Sequence, residues 1–275
     1  MARVVELISY PIKGCAGVPV AETLLTEAGP AHDRSFMVVT EDGVFRSQRR
    51  DPRLALIRPE VGEGGARLTL RAPGAGELSI DVDRKSAAGG VELFGSPYRG
   101  IDQGPAVAAW LSEVLGAPSR LVCVPSDHDR VTDGWTPGTS GYADSSPVHL
   151  LSVASLDALN ERLTAAGDRP LPMDRFRPNI VVSGWDEPHR EDRVRRMVVG
   201  DAELAYAKLA IRCAVTMVDQ RGGAKAGPEP LRTLARYRRA AAGGVAFGTK
   251  FSVVRPGKLA VGDEVAVGEW GESDL

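Results

Sequence analysis

The chain has 275 residues, of which 43% are hydrophobic and 25% charged, an ordinary globular composition that excludes disordered and fibrous classes. Its 34 basic and 36 acidic residues leave a net charge of −2, so no overall positive field exists to recruit nucleic acid or an anionic membrane surface. A chain of this length is expected to form two domains.

Short β-branched runs separated by glycine- and proline-containing turns predict a mainly β fold with a few helical inserts. The stretches predicted as strands or strand pairs are, in chain order, RVVELIS, SFMVVT, ARLTLRAP, GELSIDVD, VELF, SRLVCVP, NIVVSG, RRMVVGDAELAYAKL and KLAVGDEVAV. In the last two stretches a Gly-Asp pair between apolar runs predicts a tight hairpin turn.

Three helices are predicted among these strands. The first, GPAVAAWLSEVLG, has Pro105 in its first turn and ends at Gly116. The second, SLDALNERLTAAG, is expected to begin at a capping Ser155 and to end at Gly167. The third covers EPLRTLARYRRAA. The stretch from about 116 to 150, rich in Pro, Gly, Ser and Asp, is either a linker or a functional loop.

The cysteines and the N-terminus indicate a protein of a reducing compartment. Cys15, Cys123 and Cys213 are far apart and form no C-x-x-C motif, which argues against a disulfide framework, a structural zinc site and an iron–sulfur cluster. Glu6 and Pro11 interrupt the apolar N-terminal stretch, and no segment approaches the roughly 20 apolar residues of a membrane span. We therefore expect a cytoplasmic protein without a membrane partner.

Cys213 lies toward the end of a predicted core strand, in LAIRCAVTMVDQ. A lone cysteine in such a run is most often a small buried hydrophobe. A functional role is favoured by the turn-rich DQRGGAKAGPEP that follows, and by Arg212, which supports a thiolate only if the backbone bends at this point. One thiolate and an organic cofactor together suffice to hold a metal.

A second group of candidates consists of basic and amide side chains at strand ends or turns. Lys13 lies in YPIKG, Arg34 precedes the apolar run of HDRSFMVV, and Arg177 and Asn179 flank Pro178. Each alone is typical of a solvated surface. Together they supply the converging donors that a phosphate-bearing ligand requires.

The segment GYADSSPVHLLS places Asp144 before Ser145 and Ser146. These residues suit a turn leading into a helix, and they equally suit the lining of a polar pocket. The sequence contains neither a G-x-G-x-x-G or P-loop signature nor a G-x-S-x-G motif, so nucleotide-binding and serine-hydrolase readings are not favoured.

In their order along the chain, these pieces resemble the MOSC proteins, named for the C-terminal domain of molybdenum cofactor sulfurase. The two-part members, with an N-terminal β-barrel domain, include the mitochondrial amidoxime-reducing component and its bacterial relatives. The matching pieces are YPIKG, DRSFMVV, ADSSP before SLDALNERL, RFRPNIVV, ED at 191–192, RCAVTMVD, GPEPLRTLARYR, FG at 247–248 and the closing VGDEV.

The resemblance implies two β-barrel-like domains, an N-terminal barrel over residues 1–115 and a MOSC domain over residues 116–275. It implies an oxidoreductase that binds the molybdenum cofactor (Mo-pyranopterin) and reduces small N-hydroxylated substrates. The alternative is a molybdenum cofactor carrier or a sulfur-transfer protein acting through Cys213. Because the sequence shows no membrane anchor and no ferredoxin-like extension, electrons are expected from a separate ferredoxin-, flavodoxin- or cytochrome-like protein.

The resemblance also implies residue roles. Cys213 would bind the metal, and Asp144 would lie nearby and steer or protonate the substrate. The implied cofactor-binding residues are Lys13, Gly14, Arg34, Ser145, Ser146, Arg177, Asn179 and Arg212. Two departures stand out: the family's serine after the lysine is Gly14, which offers only a backbone N–H, and the loop after Asp219 reads QRGG instead of P-D-T-G. The second is expected to alter substrate access near the metal.

Overall fold

The computed structural model describes residues 1–241 and 243–275. The strands are β1 (Arg3–Ser9), β2 (Ile12–Lys13), β3 (Val18–Val20), β4 (Glu22–Thr26), β5 (Gly29–Pro30), β6 (Phe36–Val39), β7 (Arg58–Val61), β8 (Arg67–Ala72), β9 (Ala75–Asp81), β10 (Gly89–Leu93), β11 (Ser96–Asp102), β12 (Arg120–Cys123), β13 (Val131–Thr132), β14 (Gly138–Thr139), β15 (Val148–Ser152), β16 (Ile180–Ser183), β17 (Val194–Val199), β18 (Ala202–Arg212), β19 (Val218–Asp219), β20 (Ala224–Lys225), β21 (Val245–Arg255), β22 (Gly257–Ala260) and β23 (Val265–Trp270). The helices are α1 (Pro105–Leu115), α2 (Val153–Ala165) and α3 (Leu231–Leu234). The expected mainly β fold is confirmed.

The largest sheet has eight strands in the order β23-β17-β18-β21-β15-β16-β1-β3. The N-terminal strand β1 pairs antiparallel with both β16 and β3, so the start of the chain completes a sheet built mostly from its second half. Strand β4 likewise pairs with β22 near the C-terminus. The register of β1 shifts between Val4 and Glu6, so Val4 and Leu7, three positions apart, both join the same core cluster as Leu204 and Phe251.

A second sheet, ordered β10-β11-β12-β6-β2, forms the N-terminal part together with the three-stranded sheet β7-β8-β9. Helix α1 contributes Val107, Leu111 and Leu115 to the apolar core of this part. The short parallel pairing of β2 with β6 sets Lys13 opposite Met37. This pairing leaves Lys13 at the end of its strand.

One of the two predicted hairpins forms and the other does not. Val199 and Ala202 are paired across the turn between β17 and β18, as expected. The hairpin expected at residues 262–263 is wrong, because β22 pairs with β4 while β23 pairs with β17. Leu259 and Val265 both enter the same core, yet each does so from a different sheet.

The first two helices lie where the sequence predicts them, with one change of cap. Helix α1 ends at Gly116, whose φ of 66° is the left-handed conformation that glycine adopts readily. Helix α2 begins at Val153, and its cap is Ser152, whose hydroxyl accepts from Ser155 N at 3.1 Å. The expected cap at Ser155 is wrong, because its own hydroxyl donates to the buried carboxylate of Glu191 at 2.7 Å.

The third helix is much shorter than expected, because α3 is a single turn. Beyond it the chain turns so that Arg238 can form a buried ion pair with Asp192 at 2.5 Å and donate to Ala246 O at 3.1 Å. The long-range contacts of the buried Arg238 guanidinium therefore outweigh the local helix propensity of this segment. Within the described ranges, no helix is both long and apolar enough to cross a membrane.

Candidate functional site

A cavity of about 300 Å³ lies where the two predicted domains meet. All ten residues singled out from the sequence line it: Lys13, Gly14, Arg34, Asp144, Ser145, Ser146, Arg177, Asn179, Arg212 and Cys213. Its basic lining residues are Lys13, Arg34, Arg49, Arg177, Lys208, Arg212 and Lys250. Asp144 is the single carboxylate among the lining residues, so the cavity is suited to a ligand with several negative charges.

Cys213 is presented to this cavity by a bend in the backbone. Strand β18 ends at Arg212, Cys213 follows in an extended conformation, and residues 214–217 form one 3-10 turn. The carbonyl of Cys213 accepts from Thr216 N at 3.0 Å and from Thr216 Oγ1 at 2.9 Å. Cys213 is partly exposed, whereas Cys15 and Cys123 are buried. The bend that would let Arg212 and the thiol share one cavity is therefore present.

Asn179 organises the wall beside Arg34. Its Nδ2 donates to Ile8 O at 3.1 Å and to Asp33 Oδ1 at 3.0 Å. Its Oδ1 accepts from Arg34 at 3.1 Å and from His149 N at 3.2 Å. Because both ends of the amide are engaged within the protein, Asn179 acts on the cavity by fixing Arg34 rather than by offering a free donor.

Two guanidinium groups of the cavity contact the same aromatic ring. The guanidinium carbons of Arg34 and Arg177 each lie 4.3 Å from the ring centroid of Tyr10. Both arginines have left-handed backbone, with φ of 48° and 55°, which is unfavourable for a residue with a Cβ. Such strain is concentrated at functional sites. Burial, partly offset by the two arginines, raises the pKa of Tyr10 to about 12, so the ring stays neutral.

Lys13 and Asp144 form an ion pair inside the cavity. Lys13 is only 5% exposed, and its Nζ also lies 5.1 Å from the ring centroids of Phe45 and Phe94. Burial lowers the pKa of Lys13, and Asp144 partly restores it. The surrounding cavity walls oppose ionisation of Asp144, but its side chain is still 61% exposed, and Lys13 holds its pKa well below the ordinary value. Asp144 is therefore ionised at neutral pH, which favours steering over proton donation.

Three buried polar atoms on the cavity wall have no hydrogen-bond partner within residues 1–241 and 243–275. They are Ser146 Oγ, His149 Nε2 and Arg212 Nε. A buried polar atom without a partner costs about 1–3 kcal/mol, so a cluster of them is expected where a ligand supplies the missing partner. The wall thus fits a ligand that has polar atoms as well as negative charge.

Comparison with known families decides the identity of the fold. The MOSC N-terminal beta barrel domain matches residues 1–118, and the MOSC domain matches residues 137–266. The chain belongs to the MOSC family. The resemblance read from the sequence is confirmed, and the cavity of this MOSC protein draws residues from both matched regions.

Curated relatives extend over most of this MOSC protein. Mitochondrial amidoxime reducing component 2 of Rattus norvegicus is 37% identical, covering 93% of this chain and 80% of the relative. Mitochondrial amidoxime-reducing component 1 of Homo sapiens is 34% identical, covering 96% of this chain and 82% of the relative. Molybdenum cofactor sulfurase of Danio rerio is 30% identical over 88% of this chain, which corresponds to 31% of that longer protein.

The structure adds cavity residues that the sequence reasoning missed. Lys250 on β21 is paired in register with His149 on β15, and both line the cavity. Burial, reinforced by Arg34 and Arg212, lowers the pKa of Lys250 to about 7. Burial and Lys250 hold the pKa of His149 well below its ordinary value. Lys250 could have been found from the sequence, because it is a lone cation in the apolar run VAFGTKFSVV, just as Arg34 is a cation beside an apolar run.

The polar stretch at about residues 116–150 contributes to the candidate site, since its residues 143–147 line the cavity. Arg130 holds this loop by donating to the carbonyls of Gly141 at 3.0 Å and Asp144 at 3.2 Å. The divergent loop after Asp219 is placed differently. Its residues 220–227, all within the described part of the chain, do not line the cavity, but Gln220 contacts the lining residues Gln48 and Arg177.

Proposed function

We propose that this MOSC protein binds the molybdenum cofactor and reduces small N-hydroxylated compounds with electrons from a separate donor protein. The observation that carries the proposal is that the accessible thiol of Cys213 and a set of convergent cations line one cavity. A thiolate is a soft metal ligand, and guanidinium groups suit a phosphate. The names of the amidoxime-reducing relatives support the reaction class.

The residues present fit such a cofactor. Cys213 offers a sulfur ligand for the metal, while Arg34 and Arg177 offer guanidinium groups for its phosphate. The unpartnered Ser146 Oγ and His149 Nε2 are available to polar atoms of its organic part. When bound, the cofactor supplies two-electron redox chemistry at its metal.

Removing oxygen from an N–OH group as water consumes two electrons and two protons, and leaves an N–H group. Asp144 is ionised, so its carboxylate serves to accept a hydrogen bond from the substrate and to orient it. Lys250 Nζ, with a pKa of about 7, is the cavity group best matched to proton transfer near neutral pH. The donor protein supplies the electrons.

The alternative function, cofactor delivery or sulfur transfer through Cys213, is supported by the match to molybdenum cofactor sulfurase. The two functions predict different behaviour. An enzyme retains its cofactor and turns over, whereas a carrier releases the cofactor to an acceptor protein and does not reduce substrate.

The test is turnover of benzamidoxime to benzamidine by protein from a host that makes the molybdenum cofactor, with a chemical reductant. Wild type is expected to form benzamidine, and Cys213→Ser is expected to lose the activity because the metal has lost its thiolate. Cys123→Ser, at a buried cysteine that does not line the cavity, is the matched control and should remain active. Molybdenum-loaded wild type without turnover would favour the carrier function instead.

A further inference from the structure

Two glutamines from distant parts of the chain form a reciprocal amide pair at the cavity wall, which Gln48 lines and Gln220 does not. Gln48 lies between β6 and β7, and Gln220 directly follows β19. Gln48 Nε2 donates to Gln220 Oε1 at 3.1 Å, and Gln220 Nε2 donates to Gln48 Oε1 at 2.9 Å. Gln48 is 1% exposed. Two well-formed hydrogen bonds in a buried setting define one relative position of the two loops.

The pair is connected to two residues of the cavity wall. Gln220 Oε1 also accepts from a terminal nitrogen of Arg177 at 3.2 Å. Gln48 Nε2 also donates to Gly14 O at 2.6 Å. The amide pair therefore links the strand end after Lys13 to the guanidinium of Arg177, one from each predicted domain.

Arg177 depends on this link more than the neighbouring arginine does. Arg34 is fixed by Asp33 and by Asn179. For the guanidinium of Arg177, Gln220 is the only hydrogen-bond acceptor within residues 1–241 and 243–275. Tyr10 contacts this group by its ring, which restricts one direction only. Gln220 therefore determines the in-plane orientation of Arg177.

We propose that Gln48 and Gln220 are positioning residues that hold Arg177 in the orientation needed to bind a phosphate-bearing ligand. The proposal rests on the proposed function only for the nature of that ligand. It also gives the divergent loop a role: Gln220 is the first residue of the QRGG segment that departs from the family pattern. Gln220 does not line the cavity itself, so the departure acts on the anion site through Arg177.

The test is calorimetric binding of inorganic phosphate to cofactor-free, full-length protein. Gln220→Ala is expected to raise the phosphate dissociation constant about tenfold, because the guanidinium of Arg177 is no longer held in its binding orientation. Gln48→Ala should weaken binding in the same direction. In an Arg177→Ala background, Gln220→Ala should have no further effect, because the group it positions is absent.

The matched control is Gln103→Ala. Gln103 is also a buried glutamine, bonded to Asp83 and to Ile101 O, but it lies outside the cavity. It should leave phosphate affinity unchanged even if it lowers the melting temperature. If Gln220→Ala fails to fold, Gln220→Asn replaces it, because its shorter amide cannot reach Arg177.

Three results would overturn the positioning role. They are unchanged phosphate affinity in a folded Gln220 variant, an equal loss of phosphate affinity with and without Arg177, and wild type that binds phosphate no better than Arg177→Ala. Molybdenum content is measured on the same variants from a cofactor-making host. If the Gln220 variants weaken phosphate binding but the wild type never carries molybdenum, the proposed function is wrong and the positioning role of Gln48 and Gln220 is still supported.

Discussion

The pKa of Lys13 depends on its ion pair with Asp144. Lys13 is buried, so its pKa falls, and Asp144 is the nearby carboxylate that raises it again. In Asp144→Asn the pKa of Lys13 is expected to fall further, because desolvation remains and the counter-charge is gone. Titration of the labelled Lys13 ammonium-bearing carbon by NMR measures this. An unchanged or higher pKa would show that the two side chains do not interact.

Because of Lys250, the free energy of unfolding is expected to depend on pH. Its pKa is about 7 in the folded protein against 10.5 ordinarily, so between these values the unfolded chain holds the extra proton. The contribution of Lys250 to the free energy of unfolding therefore rises with pH between these two pKa values, by at most about 1.4 kcal/mol per pH unit. Lys250→Met should stabilise the protein most below pH 7, and the advantage should shrink toward pH 10. Urea unfolding at several pH values measures it.

The exposed Lys225 provides the control substitution for this series. Lys225→Met should stabilise the protein little at any pH. A Lys250→Met advantage that stayed constant from pH 6 to pH 10 would contradict the lowered pKa of Lys250.

At the scale of secondary structure, the turn after β18 determines where the Cys213 thiol lies. The buried Thr216 supports this turn with a hydroxyl hydrogen bond to Cys213 O at 2.9 Å. Thr216→Val keeps the shape but removes that bond, so the free energy of unfolding is expected to fall by about 1 kcal/mol. Molybdenum content should fall as well, because the thiol is less well placed.

Thr164→Val is the matched control, since Thr164 Oγ1 makes a similar bond to Asn160 O on the exposed face of α2. It is expected to change stability by less than about 0.5 kcal/mol and to leave molybdenum content unchanged. Equal effects of the two substitutions on molybdenum content would contradict a role for the turn in presenting Cys213.

Most elements could be predicted from local pattern, and the exceptions have physical causes. The strand over residues 3–9 and the stop of α1 at Gly116 follow from periodicity and from a left-handed glycine. The cap at Ser152 was missed because it depends on the distant Glu191, which takes the hydroxyl of Ser155. The hairpin at 262–263 failed because strand partners are chosen by the core and not by the turn alone.

Ten lining residues of the candidate site could be predicted from the sequence, but Lys250, His149 and the hydrogen bonds that join the lining residues could not. Lys13, Arg34 and Arg177 were identified by their place in an ordered set of motifs, and the fold does bring them to one cavity. The contact of Gln48 with Gln220 spans 172 positions and follows no local pattern. Such long-range polar contacts depend on the final packing of both parts of the chain.

At the scale of the whole molecule, the two predicted domains are interleaved. Strand β1 lies inside the eight-stranded sheet, and β4 pairs with β22, so neither part can lose its structure without exposing the core of the other. We expect one cooperative unfolding transition by calorimetry, with coincident fluorescence and circular dichroism curves. Two well-separated transitions would show that the parts are energetically independent.

The function proposed for this MOSC protein depends above all on Cys213 binding the metal of a cofactor held by the surrounding cations. The most direct measurement is the molybdenum content per chain of wild type, Cys213→Ser and Cys123→Ser, purified in parallel from a cofactor-making host. We expect near-stoichiometric metal in wild type and in Cys123→Ser, and a large loss in Cys213→Ser. Metal-free wild type, or equal metal in all three proteins, would contradict it.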